Sequence, residues 1–261
     1  MKKRLFTFGC SHTQYVWPSW ADILGLNFEQ FYNFGQPGSG IFYTLYQFVF
    51  GNQHFKFGTN DTLIFMLSNE DRLDIVKQGQ WLSEGHTLHN RHIFGEKFFE
   101  HYSEVHAIES AYIYVYFLKN MLDTLDCNYK ILYAFPPPFD EAPHKFQPSK
   151  SLKEIWKKTY KLTDTNIISL TEFSKIINDV PYNFIKDDGS GEIYKDGHYT
   201  ISTHLQFVKK YLSEYYDERW DDTVNGWHNS VQLDSKTNIS EKFSFIKKNE
   251  FQFVNGIIIN G

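Results

Sequence analysis

The sequence predicts an α/β protein built on a parallel sheet whose strands are connected by crossover helices. Along residues 3–216, short apolar runs alternate with longer helix-like stretches, the pattern of repeated strand–helix units. The run at 62–67, TLIFML, has no polar alternation, which is typical of a strand buried on both faces. The chain of 261 residues suits one large domain or a domain with an appendage.

The first elements are recognised by the residues that end them. The run at 3–8 predicts a strand that stops at Gly9, and 18–25 predicts a short helix closed by a glycine. Residues 27–32 predict a second strand, followed by the turn-rich sequence NFGQPGSG. The apolar stretch at 41–50 predicts the next helix, and the run at 62–67 predicts the third strand.

The second half of the chain has one irregular region among its elements. Residues 75–103 show no clear period and predict an insertion or lid. The longest helix candidate follows at 105–125, and the strand predicted at 130–135 runs into three prolines, which cannot continue a strand ladder. The remaining predictions are a helix at 151–161, a fifth strand at 166–170 and a helix at 200–216.

Beyond residue 216 the character of the sequence changes. Residues 217–261 mix Trp, Asn and Gly with short apolar pieces such as SFIKK and GIIING. We therefore predict a main domain at 1–216 and a C-terminal extension at 217–261 that forms a small β appendage or a docking segment. The extension is the candidate surface for a homo-oligomer or for assembly into a virion.

Composition excludes several classes of function. With 26 Lys and Arg against 31 Asp and Glu, the net charge of −5 argues against a nucleic-acid partner. No apolar run approaches the roughly 18–20 residues of a membrane span, and the N-terminal apolar run is too short for a signal peptide. Two cysteines, Cys10 and Cys127, predict no disulfide framework and favour the cytoplasm. No nucleotide or calcium motif is present, so we expect no cofactor.

The most informative motif is Gly-Cys-Ser-His-Thr, directly after the first strand. Ligands of α/β sheets bind beyond the carboxyl ends of the strands. Ser11 at this place has its hydroxyl beside backbone N–H groups that can stabilise an oxyanion, which is what a nucleophilic serine needs. The alternatives are a plain turn serine, or Cys10 as the nucleophile.

Three further segments fall where a hydrolytic site needs them. The turn after the second strand contains Gly38, whose N–H is unobstructed, although the turn is also explained by its glycines and proline. Asn69 follows the third strand and is either an amide donor or a common strand terminator. Asp196 and His198 precede the last helix, as a carboxylate with an imidazole base or as an ordinary cap with an exposed histidine.

In order, spacing and strand context, these four segments resemble the motif blocks of the SGNH (GDSL-like) hydrolases, over about residues 3–216. The resemblance implies a flavodoxin-like α/β/α sandwich with about five parallel strands. It also implies a serine esterase or acylhydrolase that acts on a small-molecule or glycan ester.

Site residues follow from the resemblance position by position. It implies that Ser11 is the nucleophile, His198 the base and Asp196 its carboxylate partner. The backbone N–H groups of Ser11 and Gly38 and the amide of Asn69 would form the oxyanion hole. His204 matches a second histidine of the family's last block, which we interpret as structural.

The sequence departs from the family pattern in two places. Cys10 stands where the family usually has Asp, and Gly-Cys-Ser resembles a phage and bacterial branch. The final pair is D-x-H, where many members have D-x-x-H, so Asp187 or Asp188 is an alternative carboxylate. These departures and the extension motivate a second hypothesis, a non-catalytic structural or glycan-binding protein such as a phage virion component. Acyl transfer to a sugar in place of water is a third.

Overall fold

The computed structural model describes residues 3–69, 72–77, 80–86, 96–101, 103–135, 154, 157–158, 161–164, 166–231 and 233–260. The strands of this part are β1 (Arg4–Gly9), β2 (Gln30–Gly35), β3 (Asp61–Leu67), β4 (Arg72–Lys77), β5 (Gln80–His86), β6 (Asn128–Tyr133), β7 (Asn183–Ile185), β8 (Ile193–Lys195), β9 (Phe251–Val254) and β10 (Ile257–Asn260). Its α-helices are α1 (Trp20–Gly25), α2 (Ile41–Phe55), α3 (Glu96–Phe99), α4 (Glu104–Asp123), α5 (Leu170–Ile176), α6 (Ile201–Tyr211), α7 (Asp221–Ser230) and α8 (Lys236–Lys242).

A parallel sheet in the order β2-β1-β3-β6 carries helices on both faces, which confirms the predicted α/β class. Side chains of a strand alternate between the two faces, so each strand supplies two cores. Leu5, Ile64 and Met66 face the core formed with α1, α5 and α6. Phe8 and Phe65 face the core formed with α2 and α4, and their rings stack at 4.6 Å. Apolar residues on both faces explain the absence of polar alternation in β3.

The sheet has four strands in the part of the chain that the structure describes, and the fifth strand predicted at 166–170 is wrong. Ser169 caps the start of α5 instead: its hydroxyl accepts a hydrogen bond from the N–H of Glu172, and the Glu172 carboxylate accepts one from the N–H of Ser169. This reciprocal cap favours a helix start over a strand. The helix predicted at 151–161 falls largely outside the described residues.

The antiparallel hairpin β4–β5 begins at Arg72, three residues before the irregular region predicted at 75–103, and extends into it. Its first strand is fastened to the main domain by Asp74, whose two carboxylate oxygens accept hydrogen bonds from the N–H groups of Gly40 (2.7 Å) and Tyr43 (2.8 Å). Gly40 is the N-cap residue of α2 and has no side chain that could bind the N–H groups at the start of the helix. Asp74 binds them instead, from the strand β4. The hairpin therefore stands beside the turn that follows β2.

The C-terminal extension contains more helix than its sequence predicts. The piece SFIKK lies in a 3₁₀ helix, Ser244–Asn249, whereas GIIING contributes the strand β10. The extension packs into both cores: Val224, Ile239 and Phe243 join the core beside α1 and α6, and Phe253 joins the one beside α2. It thus shares its buried surface with residues 1–216. Among the described helices, none combines the length and apolar character that a membrane crossing requires.

Gly9 ends β1 with a φ of +153°, a conformation that residues with a side chain rarely adopt. An added Cβ would lie 2.4 Å from Thr13 Oγ1 and 2.5 Å from the carbonyl oxygen of Met66. We expect Gly9→Ala to lower the free energy of unfolding by about 2 kcal/mol or more, measured by urea denaturation. Gly58→Ala is the matched control, because its Cβ would meet no described atom within 4 Å. Equal losses in the two variants would contradict this explanation.

Candidate active site

Ser11 lies in a tight turn at the carboxyl end of β1, one of the two inner strands of the sheet. The carbonyl oxygen of Cys10 accepts hydrogen bonds from the N–H groups of Thr13 (2.8 Å) and Gln14 (3.2 Å), which closes the turn around Ser11. Cys10 is fully buried in the core beside α1, whereas Ser11 keeps 8% of its surface exposed. Both residues are buried, and of the two candidate nucleophiles Ser11 is the one that keeps some exposed surface.

Asp196 and His198 form a close pair just after β8. One carboxylate oxygen of Asp196, Oδ1, lies 2.7 Å from the backbone nitrogen of His198 and 2.7 Å from its Nδ1. The D-x-H spacing therefore lets one oxygen bind both groups of the same residue. With a proton on Nδ1 donated to Asp196, the Nε2 atom is the proton acceptor of the ring.

The alternative carboxylates do not approach His198. Asp187 and Asp188 lie exposed on the turn between β7 and β8. Asp188 accepts a hydrogen bond from the N–H of Ser190, and Asp187 accepts one from the N–H of Thr237. The geometry thus pairs His198 with Asp196.

The other carboxylate oxygen of Asp196 binds two groups that sequence reasoning missed. Its Oδ2 accepts hydrogen bonds from the hydroxyl of Tyr15 (2.8 Å) and from the ammonium of Lys236 (2.5 Å). Burial by itself raises the pKa of Asp196, but the hydrogen bonds from His198 and Lys236 outweigh it and hold the pKa well below its usual range. Asp196 is therefore an anion at neutral pH.

The loop that carries Ser11 packs directly against His198. The ring of Tyr15 stacks on the imidazole of His198 with centroids 3.7 Å apart, and the ring of His12 lies 5.3 Å from it. Among the described residues, no direct hydrogen bond joins the Ser11 hydroxyl to His198. Bonds of this kind often become short only when a substrate is bound.

The predicted oxyanion-hole residues lie at the ends of adjacent strands. Gly38, with a φ of +82°, belongs to the turn after β2. That turn is tied to the end of β1, because the N–H of Gln36 (2.8 Å) and the hydroxyl of Ser39 (3.0 Å) both donate to the carbonyl oxygen of Gly9. Asn69 lies two residues beyond β3, the other neighbour of β1. The sheet order therefore brings the ends that carry Ser11, Gly38 and Asn69 to one edge.

Asn33 supports this arrangement from inside the fold. Its buried side chain donates to the carbonyl oxygen of Thr13 and accepts hydrogen bonds from the N–H of Gly35 and the hydroxyl of Thr7. It thereby links β2, β1 and the Ser11 loop. The sequence marks Asn33 only as the start of a turn, because its contact with Thr13 depends on the pairing of the two strands.

A cavity of about 630 Å³ opens beside this edge, between the start of α2, β4, α3 and α4. Arg72 connects it to the site: its guanidinium donates to the carbonyl oxygen of Ser39 and lies over the ring of Phe135, which in turn contacts His12. The walls combine apolar and polar side chains, among them Ile41, Phe42, Ala111, Tyr114, His106 and Ser110.

No metal centre is found among the described residues, since none of their His, Cys, Asp and Glu side chains form a group of three that could hold an ion. The sequence also spaces three histidines, His86, His89 and His92, three residues apart, and the last two lie outside the described residues.

No protein-family model and no curated protein matches the chain.

Two buried histidines, His12 and His204, lie near the Asp196–His198 pair but are not part of it. His12 stacks on Tyr199, and burial, followed by the nearby His198, lowers its pKa well below the usual value. Burial also lowers the pKa of His204, to about 3, which agrees with its expected structural place. In the described part of the chain, Nδ1 of each ring lacks a hydrogen-bond partner. Both rings are therefore neutral in the folded protein at neutral pH.

His204 makes the stability of the fold sensitive to acid. In the unfolded chain it gains a proton near pH 6.5, but in the folded chain only near pH 3, so protonation in this window favours unfolding. We expect His204→Gln to flatten the fall in the free energy of unfolding between these pH values, by up to about 1.4 kcal/mol per pH unit. Urea denaturation at several pH values measures this slope. The exposed His54→Gln is the control, and a slope unchanged in His204→Gln would contradict the prediction.

Proposed function

We propose that this chain is a serine hydrolase of the SGNH type, which cleaves esters through an acyl-enzyme on Ser11. The observation that carries the proposal is the Asp196–His198 pair, joined at 2.7 Å and packed against the loop that holds Ser11. An imidazole oriented by a carboxylate beside a serine is the arrangement that activates a weak oxygen nucleophile.

In the first half of the reaction, the hydroxyl oxygen of Ser11 attacks the ester carbonyl carbon while Nε2 of His198 takes the hydroxyl proton. Asp196, anionic and bonded to Nδ1, stabilises the imidazolium that forms. The carbonyl electron pair moves onto oxygen, and the N–H groups of Ser11 and Gly38 with the Asn69 amide stabilise this oxyanion. When the tetrahedral intermediate collapses, the bond to the alcohol breaks and His198 protonates the leaving oxygen.

The second half repeats these steps with water. His198 takes a proton from the water molecule as its oxygen attacks the acyl carbon, and the bond to Ser11 then breaks as His198 returns the proton to the serine oxygen. The acid is released and the free enzyme is restored. A sugar hydroxyl in place of water would give acyl transfer by the same residues.

The cavity beside Arg72 supports a substrate with a sizeable group next to the ester bond. Its volume suits a small-molecule or glycan ester, and its apolar and polar walls match a ligand of mixed character. Arg72 lines the cavity and lies over the ring of Phe135, and this ring contacts His12, so the cavity is linked to the loop that carries Ser11.

Labelling with a fluorophosphonate probe tests the proposal directly, because the probe reacts with activated serines. We expect the wild-type protein to be labelled, Ser11→Ala to lose labelling completely, and His198→Ala to react about 10²-fold or more slowly. Ser190→Ala, which removes an exposed hydroxyl from the turn between β7 and β8, and Cys10→Ala are expected to label like the wild type.

A folded wild-type protein that resists the probe would overturn the enzymatic proposal and favour the non-catalytic structural or glycan-binding alternative. Circular dichroism serves as the control that each variant is folded. Deletion of residues 217–261 is unsuited to testing the alternative, because the extension supplies side chains to both cores and its removal would uncover them.

We also predict that filling the cavity weakens the binding of large substrates. Ser110 lines the cavity from α4, so Ser110→Trp should fill part of it. We expect KM for esters with a bulky acyl or alcohol group to rise about tenfold, with little change for a short acetyl ester. Glu109→Trp adds the same side chain at the neighbouring exposed position and serves as the control. An equal effect on short and bulky esters would show that the substrate lies elsewhere.

A further inference from the structure

We propose that Lys236, from the C-terminal extension, is a positioning residue of this site. It fixes the Asp196 carboxylate with Oδ1 towards His198 and offsets part of the negative charge that His198 would otherwise face. The kinetic consequences rest on the proposed function, whereas the effect on His198 itself does not.

The geometry is a closed triangle on Oδ2, the carboxylate oxygen that His198 does not bind. The ammonium nitrogen of Lys236 lies 2.5 Å from Asp196 Oδ2 and 2.8 Å from the Tyr15 hydroxyl, which itself lies 2.8 Å from the same oxygen. Because Oδ1 is already held by the backbone and the ring of His198, both ends of the carboxylate are occupied. Charge-assisted hydrogen bonds on both oxygens prevent the carboxylate from rotating away from the imidazole.

The fold holds Lys236 in this place. Lys236 is the first residue of α8, whose start is capped by the side chain of Ser235 and whose Ile239 is fully buried. The carbonyl oxygen of Asp234 accepts a hydrogen bond of 3.0 Å from the N–H of Ile185 in β7. Since β7 pairs with β8, and β8 ends one residue before Asp196, the lysine and the carboxylate are carried by segments bound to each other.

Two aromatic rings complete the surroundings of the ammonium group. It lies 5.4 Å from the ring centroid of Tyr15 and 5.5 Å from that of Tyr194, distances at which rings attract cations. Burial lowers the pKa of Lys236, but its hydrogen bonds to Asp196 and Tyr15 outweigh burial and raise the pKa above its ordinary value. Lys236 is thus positively charged throughout the neutral range.

The charge of Lys236 matters because a carboxylate beside a base stabilises the protonated base. If His198 is already protonated, it cannot take the proton of Ser11. The positive charge of Lys236 beside Asp196 weakens the stabilisation of protonated His198 by this carboxylate. Among described residues, the other titratable or charged groups around this pair are Tyr15, His12, His204 and Arg72, and the exposed carboxylate of Asp187 interacts with Lys236 itself. Tyr15 and the two buried histidines are uncharged at neutral pH, and Arg72 lies behind Phe135. Lys236 is therefore the cation in direct contact with the carboxylate.

Lys236→Met tests the proposal, because methionine keeps the unbranched stem and removes the charge. We expect kcat for a short ester to fall with KM unchanged, and the ascending limb of the kcat/KM profile to move to higher pH by about one unit. Lys236→Arg should restore the position of the limb. Lys242→Met removes a charge from the same helix but from a residue bonded to the Ser230 carbonyl, and should leave the profile unchanged.

Nuclear magnetic resonance gives a readout that does not depend on activity. The ring signal of His198, assigned from its loss in His198→Gln, should titrate at higher pH in Lys236→Met than in the wild type. An unchanged titration together with an unmoved kinetic limb would overturn the inference. A shifted titration in a protein that neither binds the fluorophosphonate nor cleaves esters would support the role of Lys236 while overturning the proposed function.

A second variant keeps the inference open to disproof if Lys236→Met does not fold. Tyr15→Phe retains the ring that stacks on His198 but removes the hydroxyl that bonds both Lys236 and Asp196. We expect a smaller shift of the His198 titration in the same direction, and its absence in a folded Tyr15→Phe protein would contradict the proposed triangle.

Discussion

The pairing of β1 with a parallel strand on each side is the constraint on which the site depends. In this register Gly9 lies opposite Gly35 of β2 and opposite Met66 of β3, so three strands end at the same level. The loops that leave them therefore meet, and the first loop also carries Tyr15 and His12 to the ring of His198. A shift of one residue in either pairing would turn side chains to the opposite face and separate these groups.

The strand ends are close-packed because the backbone itself forms many of the contacts there. The Gly9 carbonyl oxygen accepts two hydrogen bonds from the turn after β2, and the positive φ of Gly9 directs the chain into the Ser11 turn. A side chain at this position would occupy the space of Thr13. The glycine of the Gly-Cys-Ser motif is thus explained by steric demand, independently of any reaction.

Charge within the site is balanced by parts of the chain that are far apart in sequence. Asp196 is nearly enclosed, and a buried carboxylate is stable only when its oxygens are bonded. Its partners come from the loop after β1, from its own segment and from α8. The extension thereby takes part in the electrostatics of the site as well as in both cores.

The sequence by itself determined the alternation of strands and helices, the burial of β3 on both faces, and the grouping of Ser11, Gly38 and Asn69 at strand ends. These features are local: apolar period, turn residues and order along the chain suffice to predict them. It failed at 166–170, where the Ser169–Glu172 cap outweighs the apolar run. Only the tertiary structure decided that His198 pairs with Asp196 and that Tyr15 and Lys236 bind the same carboxylate. Lys236 is 221 positions from Tyr15, and contacts of that range follow from how the helices and hairpins pack on the sheet, which no local pattern encodes.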